Sequence, residues 1–459
     1  MKSRLAALFP DSDYLDDEDS LAIYSKDWTT YFKPNAQAVV FPRETKQVKA
    51  LVDFARKEKV ALVPSGGRTG LSGGAVALNG EIVVSFEKMA KIIDFNELDL
   101  IVRVQSGVIT DQLKEFAAEK GYFYPVAFSS SGSSQIGGNL ATNAGGINVL
   151  RYGLTRNWVA GLEAVTGKGE ILKLNHALTK NATGYDLRHL MIGSEGTLGL
   201  ITEAELRLTR QPLETKTVLL AVSSWADAMK VFVKLRKELE LQAFEIFDRK
   251  ALDKVLARAK GEEPFGQSHP LHVILEAELP PFTPSDFLEN ILGKIFDDEL
   301  AQDGVVSQNS TQARELWSLR ENISESIAPF KPYKNDISVR TSKIPEFVKA
   351  LETEVSKAYP DFEVLWFGHV GDGNLHLNIL KPDSLSIEEF VRKCRQVDSL
   401  LFTCVQKFEG SISAEHGVGL TKKDFLKFTR SPEEIAILKE LKKLFDPDQI
   451  LNPGKIFDL

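Results

Sequence analysis

The chain has 459 residues, which is enough for two or more domains of ordinary size. Its composition, 43% hydrophobic and 26% charged residues, is typical of a soluble globular protein, and its net charge of −8 argues against nucleic acid as a partner. Because no run approaches the ~18–20 apolar residues of a spanning helix, we expect no transmembrane segment. Two cysteines make no disulfide framework. The default is a cytoplasmic protein, with at most peripheral association with the inner membrane.

After an N-terminal segment at 1–34, short strand patterns alternate with glycine-rich loops. Strands are predicted at 39–41, 61–64 and 82–85, and a helix near 44–58. The character of the sequence changes near residue 212, where longer helical patterns begin. These helices are predicted near 224–240, 311–327, 345–357 and 386–408, with a strand at 271–276 among them.

Three glycine-rich segments, at 65–74, 132–146 and 193–199, are more than turn chemistry needs. Glycine permits positive φ and lets backbone N–H groups approach an anion closely. Each segment alone is compatible with a tight turn, but together they indicate a large phosphate-bearing cofactor. None matches the Rossmann fingerprint or the P-loop, so we expect neither of those sites.

Within the helix predicted at 311–327, Arg320 and Ser324 are i and i+4 and would share one face. The arginine could grip a carboxylate through two hydrogen bonds, and the serine hydroxyl could add a donor. Arg320 could instead be an exposed charge or pair with Glu321 or Glu325.

The segment 366–378 is predicted to form a β-hairpin that carries two histidines. The Asp-Gly dipeptide at 372–373 favours a two-residue type I′ turn, which would place His369 directly opposite His376. Their Cβ atoms would then lie about 4.5–5.5 Å apart, which suits two ligands of one metal ion. Asn378 would share their face. A hydrogen-bonded surface pair is the alternative.

Glu415 is the leading candidate for a third ligand. A carboxylate oxygen beside two imidazole nitrogens suits Zn²⁺ or Mn²⁺ with a position open for substrate. His416, the next residue, could then serve as a base rather than a ligand. Of the other histidines, four are expected to be structural: His176, His189, His269 and His272.

Longer motifs carry a family resemblance. Pro64-Ser-Gly-Gly-Arg-Thr-Gly70, Ile136-Gly-Gly-Asn-Leu-Ala-Thr-Asn-Ala-Gly-Gly146 and Gly193-Ser-Glu-Gly-Thr-Leu-Gly-Leu-Ile-Thr-Glu203 resemble the FAD-binding domain of the vanillyl-alcohol oxidase/p-cresol methylhydroxylase superfamily. The hairpin, Glu415-His416-Gly-Val-Gly and Leu451-Asn-Pro-Gly-Lys455 are similar to its D-2-hydroxyacid dehydrogenase branch. That branch includes D-2-hydroxyglutarate dehydrogenase, D-lactate dehydrogenase and the flavin subunit of glycolate oxidase. The resemblance covers roughly residues 35–459.

The resemblance implies an α+β fold with a two-part FAD-binding domain of the p-cresol methylhydroxylase type at 35–212. An α/β substrate and metal (cap) domain with an antiparallel sheet would follow at 213–445, and the segment 446–459 would return to the FAD domain. FAD would be non-covalent, since neither His176 nor His189 matches a flavin-linking histidine. The implied FAD-binding residues are Pro64, Ser65, Gly66, Gly67, Arg68, Thr69, Gly70, Ser131, Gly132, Gly137, Gly138, Asn139, Thr142, Asn143, Gly145, Gly146, Glu195, Gly196, Gly199, Ile201 and Asn452.

The implied activity is oxidation of a D-2-hydroxy acid, D-2-hydroxyglutarate or D-lactate, to the 2-oxo acid. Hydride would pass to the flavin, and electrons onward to a quinone, an electron-transfer flavoprotein or a cytochrome rather than to NAD. His369, His376 and Glu415 would hold the metal, and His416 would be the base. The implied substrate-binding residues are Arg320, Ser324, Lys334, Asn378 and His416.

Two residues bear on the substrate. Ser324 stands where the D-2-hydroxyglutarate branch has threonine, and Arg340 stands where relatives commonly have proline, so Arg340 is a substrate contact, a membrane contact or a surface charge. Lys334 has a surface charge as its alternative reading. A non-redox flavin-dependent transferase of the alkylglycerone-phosphate synthase type, a non-catalytic flavin-binding subunit and a glycolate oxidase-type flavin subunit are the competing functions. A homodimer is left open.

Overall fold

A computed structural model describes residues 4–5, 7–29 and 31–459. Residues 1–3, 6 and 30 of the predicted N-terminal segment lie outside the described residues. In the described part of the chain, no helix is both long and apolar enough to cross a membrane. The chain forms two compact units: Met1–Gly145, Gly153–Gln211 and Glu415–Leu459 make up the first, and Gly146–Tyr152 and Pro212–Ala414 the second.

Helices and strands are interspersed along the whole chain, which confirms the α+β class. The strands are β1 (Tyr14–Leu15), β2 (Ala36–Val40), β3 (Leu62–Ser65), β4 (Glu81–Ser85), β5 (Ile92–Asn96), β6 (Ile101–Gln105), β7 (Tyr122–Phe123), β8 (Val159–Thr166), β9 (Ile171–Leu174), β10 (Gly199–Arg207), β11 (Thr209–Arg210), β12 (Thr215–Val222), β13 (Glu240–Asp248), β14 (Leu271–Glu278), β15 (Asp303–Val306), β16 (Tyr333–Ser338), β17 (Val364–Gly368) and β18 (Asn374–Ile379). The α-helices are α1 (Glu18–Tyr24), α2 (Thr45–Glu58), α3 (Thr110–Glu119), α4 (Ile136–Thr142), α5 (Val149–Tyr152), α6 (Arg188–Met191), α7 (Trp225–Glu238), α8 (Arg249–Ala259), α9 (Phe287–Asp297), α10 (Ser310–Glu321), α11 (Ile323–Ile327), α12 (Ile344–Ala358), α13 (Ile387–Lys407) and α14 (Pro432–Phe445).

The first unit contains two larger sheets and a two-stranded antiparallel sheet in which β7 pairs with β11. One of the larger sheets has the strand order β1-β2-β4-β3, in which β2, β4 and β3 are parallel, and the other is antiparallel with the order β5-β6-β10-β8-β9. Strand β4 is buried along its whole length, as its unbroken apolar run predicts for a parallel strand. Helix α2 buries an i, i+3, i+4, i+7 stripe against the sheet, made of Val48, Leu51, Val52 and Ala55.

The C-terminal part of the chain belongs to this unit earlier than the sequence predicted. Residues 415–445, assigned to the cap domain, lie in the first unit because α14 places Phe445 in its core. The segment that follows pairs with β3: Leu62 donates a hydrogen bond to the Ile450 carbonyl (2.7 Å) and accepts one from Asn452 (2.8 Å). Composition does not reveal such distant pairing.

The second unit contains one seven-stranded antiparallel sheet with the order β15-β12-β14-β13-β17-β18-β16. This confirms the antiparallel sheet predicted for the second part of the chain. Helices α8, α10 and α11 contribute to the apolar cluster on one face of the sheet, together with Phe247 and Phe367. Residues 146–152 join this unit, where Arg151 forms ion pairs with Glu240 and Glu278.

The helix predicted at 311–327 is two helices. Asn322 caps the end of α10 and the start of α11, and its N–H donates to the Ser318 carbonyl (3.1 Å). As a result Arg320 is buried while Ser324 is exposed, so the prediction that they share a helical face was wrong. The Asn322 side chain makes no capping hydrogen bond to α11, so the contact at the break is that of its backbone N–H.

Candidate active site

The two-histidine hairpin forms with a different register from the one predicted. His376 lies opposite Phe367, and Asn378 opposite Leu365, so residues 369–373 form a longer loop and the direct pairing of His369 with His376 was wrong. The shift is two residues, and a shift of two preserves the face of every side chain. The two imidazoles therefore still meet, with ring centroids 5.4 Å apart.

Neighbouring segments, rather than the local turn preference, determine this loop. Gly373 adopts φ of +93°, and a Cβ there would collide with the Val339 carbonyl, which shows how closely the loop tip packs on the chain beside it. Gly371 donates a hydrogen bond to the Phe244 carbonyl (2.9 Å). The longer loop makes both of these contacts with chain segments that are distant in sequence.

The three predicted metal ligands come together. His369, His376 and Glu415 each offer one ligand atom, and these atoms all lie within 4.8 Å of one another. Glu415 directly follows Ala414, whose N–H donates to Asp336 (3.1 Å) in β16, the strand beside β18. The hairpin, through its loop and strand β18, and this short segment therefore supply two nitrogens and a carboxylate oxygen, a donor set that fits Zn²⁺ or Mn²⁺.

A buried carboxylate lies behind each histidine. His369 Nδ1 is 2.8 Å from Glu245 Oε1, and His376 Nδ1 is 3.7 Å from Asp336 Oδ1. Metal-binding histidines commonly have such a partner, which fixes the ring and presents Nε2 to the cation. Sequence reasoning missed both carboxylates. Asp336 could have been found as the cross-strand neighbour of His376, whereas Glu245 is in a strand with no motif.

Arg320 is attached to the same group of residues. Its Nη2 forms an ion pair with Glu245 Oε2 (2.8 Å), and its guanidinium lies 4.8 Å from the centre of the Phe367 ring. The residue is only 7% exposed, and its Nε finds no hydrogen-bond partner among the described residues. A buried donor of this kind is unfavourable unless a ligand satisfies it, which fits a role in anion binding.

Lys334 and Asn378 are cross-strand partners on the face that carries His376 and Asp336. Asn378 is buried and donates to the His376 carbonyl (3.3 Å). The Lys334 side chain is accessible to solvent, yet desolvation by the surrounding protein lowers its pKa, as expected for a cation in a recess. Arg340, in contrast, is exposed and pairs with Glu409 (2.9 Å).

The first two glycine-rich segments pack backbone to backbone. A Cβ at Gly67 would collide with the Ser133 carbonyl, and one at Gly66 would lie 3.8 Å from the Gly138 Cα. Around them are buried side-chain atoms that lack a hydrogen-bond partner among the described residues: Ser65 Oγ, Arg68 Nη1, Gln135 Oε1 and Asn452 Oδ1. Close backbone approach and unsatisfied polar atoms fit a polar, phosphate-bearing ligand.

The predicted FAD-binding residues lie in the first unit, except Gly146, which begins the 146–152 segment of the second. Pro64 and Ser65 end β3, while Gly137, Gly138, Asn139 and Thr142 lie in α4. Asn452 donates to the Gly74 (2.9 Å) and Glu195 (2.7 Å) carbonyls, which ties the C-terminal segment to two of the glycine-rich segments.

Glu195 has a role that the sequence did not indicate. Its buried carboxylate accepts hydrogen bonds from the backbone N–H groups of Val418 (2.7 Å) and Gly419 (2.8 Å). These two residues follow His416 closely, so Glu195 fixes the segment that carries the predicted base. Gly417 has φ of +78°, and a Cβ there would lie 2.8 Å from Glu195 Oε1, which explains the glycine after His416.

Two family models match most of the chain. Residues 36–175 match an FAD binding domain, and residues 211–456 match the C-terminal domain of FAD linked oxidases. The chain belongs to the FAD-linked oxidase family. This confirms the FAD cofactor and the oxidoreductase class that the family resemblance implied.

Among curated proteins, the chain is 54% identical to a D-2-hydroxyglutarate dehydrogenase of Stutzerimonas stutzeri (strain A1501) over 447 residues, 96% of each chain. It is 50% identical to one of Xanthomonas citri pv. viticola over 435 residues, 95% of this chain and 92% of the relative. These relatives confirm the resemblance to the D-2-hydroxyacid dehydrogenase branch.

Solved structures confirm the fold type. p-Cresol methylhydroxylase with substrate bound superposes with a TM-score of 0.77 at 16% identity, covering 99% of this chain and 96% of that one. An alkyldihydroxyacetonephosphate synthase superposes with a TM-score of 0.73 at 18% identity, covering 98% and 84%.

Proposed function

We propose that the protein is an FAD- and divalent-metal-dependent dehydrogenase that oxidises D-2-hydroxyglutarate to the 2-oxo acid. The observation that carries the proposal is the meeting of His369, His376 and Glu415 within 4.8 Å, with Arg320 attached to the same cluster through Glu245. The two relatives at 54% and 50% identity bear the name of this activity.

Oxidation at the 2-carbon requires the hydroxyl to lose a proton while the carbon loses a hydride. FAD, when bound by the glycine-rich segments, supplies the hydride acceptor. A divalent cation, when bound by His369, His376 and Glu415, supplies the positive charge that favours deprotonation of the hydroxyl. His416 takes that proton as general base, and Glu195 keeps its segment in place.

The cations support a dicarboxylate substrate. Arg320 has a buried Nε donor that is not satisfied among the described residues, and Lys334 lies beside Asn378 on the face of His376. Two cations suit an acid with a second carboxylate, which D-2-hydroxyglutarate has and D-lactate lacks. Ser324 is exposed and does not share a helical face with Arg320, and Arg340 pairs with Glu409, so neither Ser324 nor Arg340 is part of the proposal.

The transferase alternative rests on the alkyldihydroxyacetonephosphate synthase likeness, which at 18% identity concerns the fold alone. A two-histidine and glutamate set, each histidine backed by a carboxylate, favours oxidation of a hydroxy acid instead. The same set argues against a non-catalytic flavin subunit. Electrons would leave to a quinone, an electron-transfer flavoprotein or a cytochrome.

Anaerobic reduction of the flavin tests the proposal. We expect D-2-hydroxyglutarate to bleach the flavin absorbance of the purified protein, D-lactate to do so more slowly, and the L-enantiomer of each to serve as a matched negative control. If no D-2-hydroxy acid reduces the flavin, the dehydrogenase proposal is wrong.

A further inference from the structure

We propose that Glu245 is a positioning residue that joins the anion-binding arginine to a metal-binding histidine, so that one carboxylate controls both the metal site and the substrate site. The inference rests on the proposed function, since it concerns the metal and the substrate named there. It adds a residue to which no motif of the sequence points.

The position of Glu245 follows from the sheet. Strand β13 pairs with β17 so that Phe247 lies opposite Phe367 and Ile246 opposite Gly368. One further step in the same register brings Glu245 opposite His369, the first residue of the hairpin loop. Because a sheet interior holds its side chains more precisely than a loop does, the carboxylate is a fixed reference for the histidine beside it.

The Glu245 side chain is only 1% exposed, and its two oxygens make different contacts: Oε1 is within hydrogen-bond distance of His369, whereas Oε2 makes an ion pair but no hydrogen bond among the described residues. Oε1 lies 2.8 Å from His369 Nδ1, and Oε2 lies 2.8 Å from Arg320 Nη2. The His369 contact defines Nδ1 as the protonated nitrogen, so that Nε2 is the atom directed at a cation. The Arg320 contact supplies the counter-charge without which a buried carboxylate would be strongly unfavourable.

The same carboxylate fixes the arginine. Glu245 takes one Nη of the guanidinium, and the Phe367 ring lies against it at 4.8 Å. These two contacts fix the plane of the Arg320 guanidinium and leave its Nε as a donor without a hydrogen-bond partner among the described residues. A substrate carboxylate that binds there meets an arginine whose orientation is already set, which lowers the entropic cost of binding.

Removing the charge should therefore weaken both sites at once. Glu245→Gln keeps the size of the side chain and one acceptor oxygen. It loses the negative charge that pairs with Arg320 and weakens the contact with His369 Nδ1. In the FAD-loaded full-length protein we expect Zn²⁺ affinity, measured by competition with a chromophoric chelator, to fall by about 10- to 100-fold. With Zn²⁺ saturating, we expect KM for D-2-hydroxyglutarate to rise more than kcat falls.

Glu276→Gln is the matched control. Glu276 is in the neighbouring strand β14, and its carboxylate accepts a hydrogen bond from Trp317 Nε1 (3.3 Å), a neutral donor. Its loss of charge should leave Zn²⁺ affinity and KM within about twofold of the wild type, within the range of ordinary surface substitutions. A general effect of removing a carboxylate from this sheet would change both variants alike and would overturn the inference.

Arg320→Met provides the second test, and it stays informative even if Glu245→Gln folds poorly. If Glu245 joins the two sites, losing the arginine weakens Zn²⁺ binding as well as raising KM, and the effects of the two substitutions are not additive. Wild-type Zn²⁺ affinity in either Glu245→Gln or Arg320→Met would overturn the inference. If the wild-type protein binds no Zn²⁺ or Mn²⁺, the proposed function fails instead, which keeps the two failures distinct.

Discussion

The seven histidines of the chain differ in what lies behind each ring. His369 and His376 have carboxylates at Nδ1, which suits a metal ligand. His272 is instead buried between the rings of Phe247 and Phe265, and neither of its nitrogens has a hydrogen-bond partner among the described residues. The same residue type is thus oriented toward a proposed cation site in one place and packed as an aromatic ring in another.

The environment of His272 predicts acid sensitivity. Burial, reinforced by His269 and Arg249 and opposed by Glu263 and Asp253, lowers the pKa of His272 to about 4. The neutral ring is favoured in the folded state, so its contribution is fully present above the unfolded pKa of about 6.5 and is lost as pH falls toward 4. The full shift corresponds to about 3 kcal/mol.

Replacing His272 with phenylalanine keeps an aromatic ring in the stack and removes the titration. We expect the free energy of unfolding of the variant, measured in urea, to decline less than that of the wild type between pH 7 and pH 4.5. Parallel curves for the two proteins over that interval would show that His272 does not titrate as described.

His416 carries the prediction that concerns chemistry. We expect His416→Ala to retain FAD and Zn²⁺ but to reduce its flavin with D-2-hydroxyglutarate about 10²- to 10⁴-fold more slowly, because general base catalysis typically contributes that factor. Stopped-flow absorbance under anaerobic conditions measures the rate. A rate near that of the wild type would mean that another group takes the proton.

At the scale of elements, local sequence patterns predicted what local interactions decide. The helices at 225–238, 344–358 and 387–407 and the strands around residues 39, 63 and 83 follow from periodicity. The break at Asn322 and the longer hairpin loop were missed. The first depends on a capping asparagine within an otherwise helical pattern, and the second on contacts to Val339 and Phe244 that are distant in sequence.

The candidate site likewise contains residues that the sequence predicted and residues that it did not. Its ligand types could be read from the hairpin and Glu415-His416, because cross-strand neighbours share a face even when the register shifts by two. Glu245 and the hydrogen bonds made by Glu195 could not be predicted, because each carboxylate acts on a partner that is distant in sequence.

The hydrogen bonds that the Glu195 carboxylate accepts from Val418 and Gly419 predict how the segment after His416 behaves. Glu195→Gln places an amide N–H₂ where one of two backbone N–H groups needs an acceptor, at a cost of about 1–3 kcal/mol. We expect faster hydrogen exchange in a peptide that spans residues 415–421, together with slower flavin reduction. Glu203→Gln, whose carboxylate pairs with Arg103 instead, is the control and should leave this peptide unchanged. Equal exchange in both variants would mean that Glu195 does not hold the segment.

At the scale of the whole molecule, the two proposed cofactor sites use different residues, although they do not divide cleanly between the two units. The residues proposed to bind FAD lie in the first unit apart from Gly146, whereas both histidines of the proposed metal site lie in the second and Glu415 lies in the first. Because Glu415 alone among the proposed metal ligands shares the first unit with the FAD-binding residues, removing the metal should slow flavin reduction without releasing FAD. We expect prolonged dialysis against a chelator to lower the anaerobic rate at least tenfold while the flavin absorbance stays with the protein, and added Zn²⁺ or Mn²⁺ to restore the rate. An unchanged rate after metal removal has been verified by elemental analysis would refute the metal role, and co-release of FAD would show that the two sites depend on each other for binding.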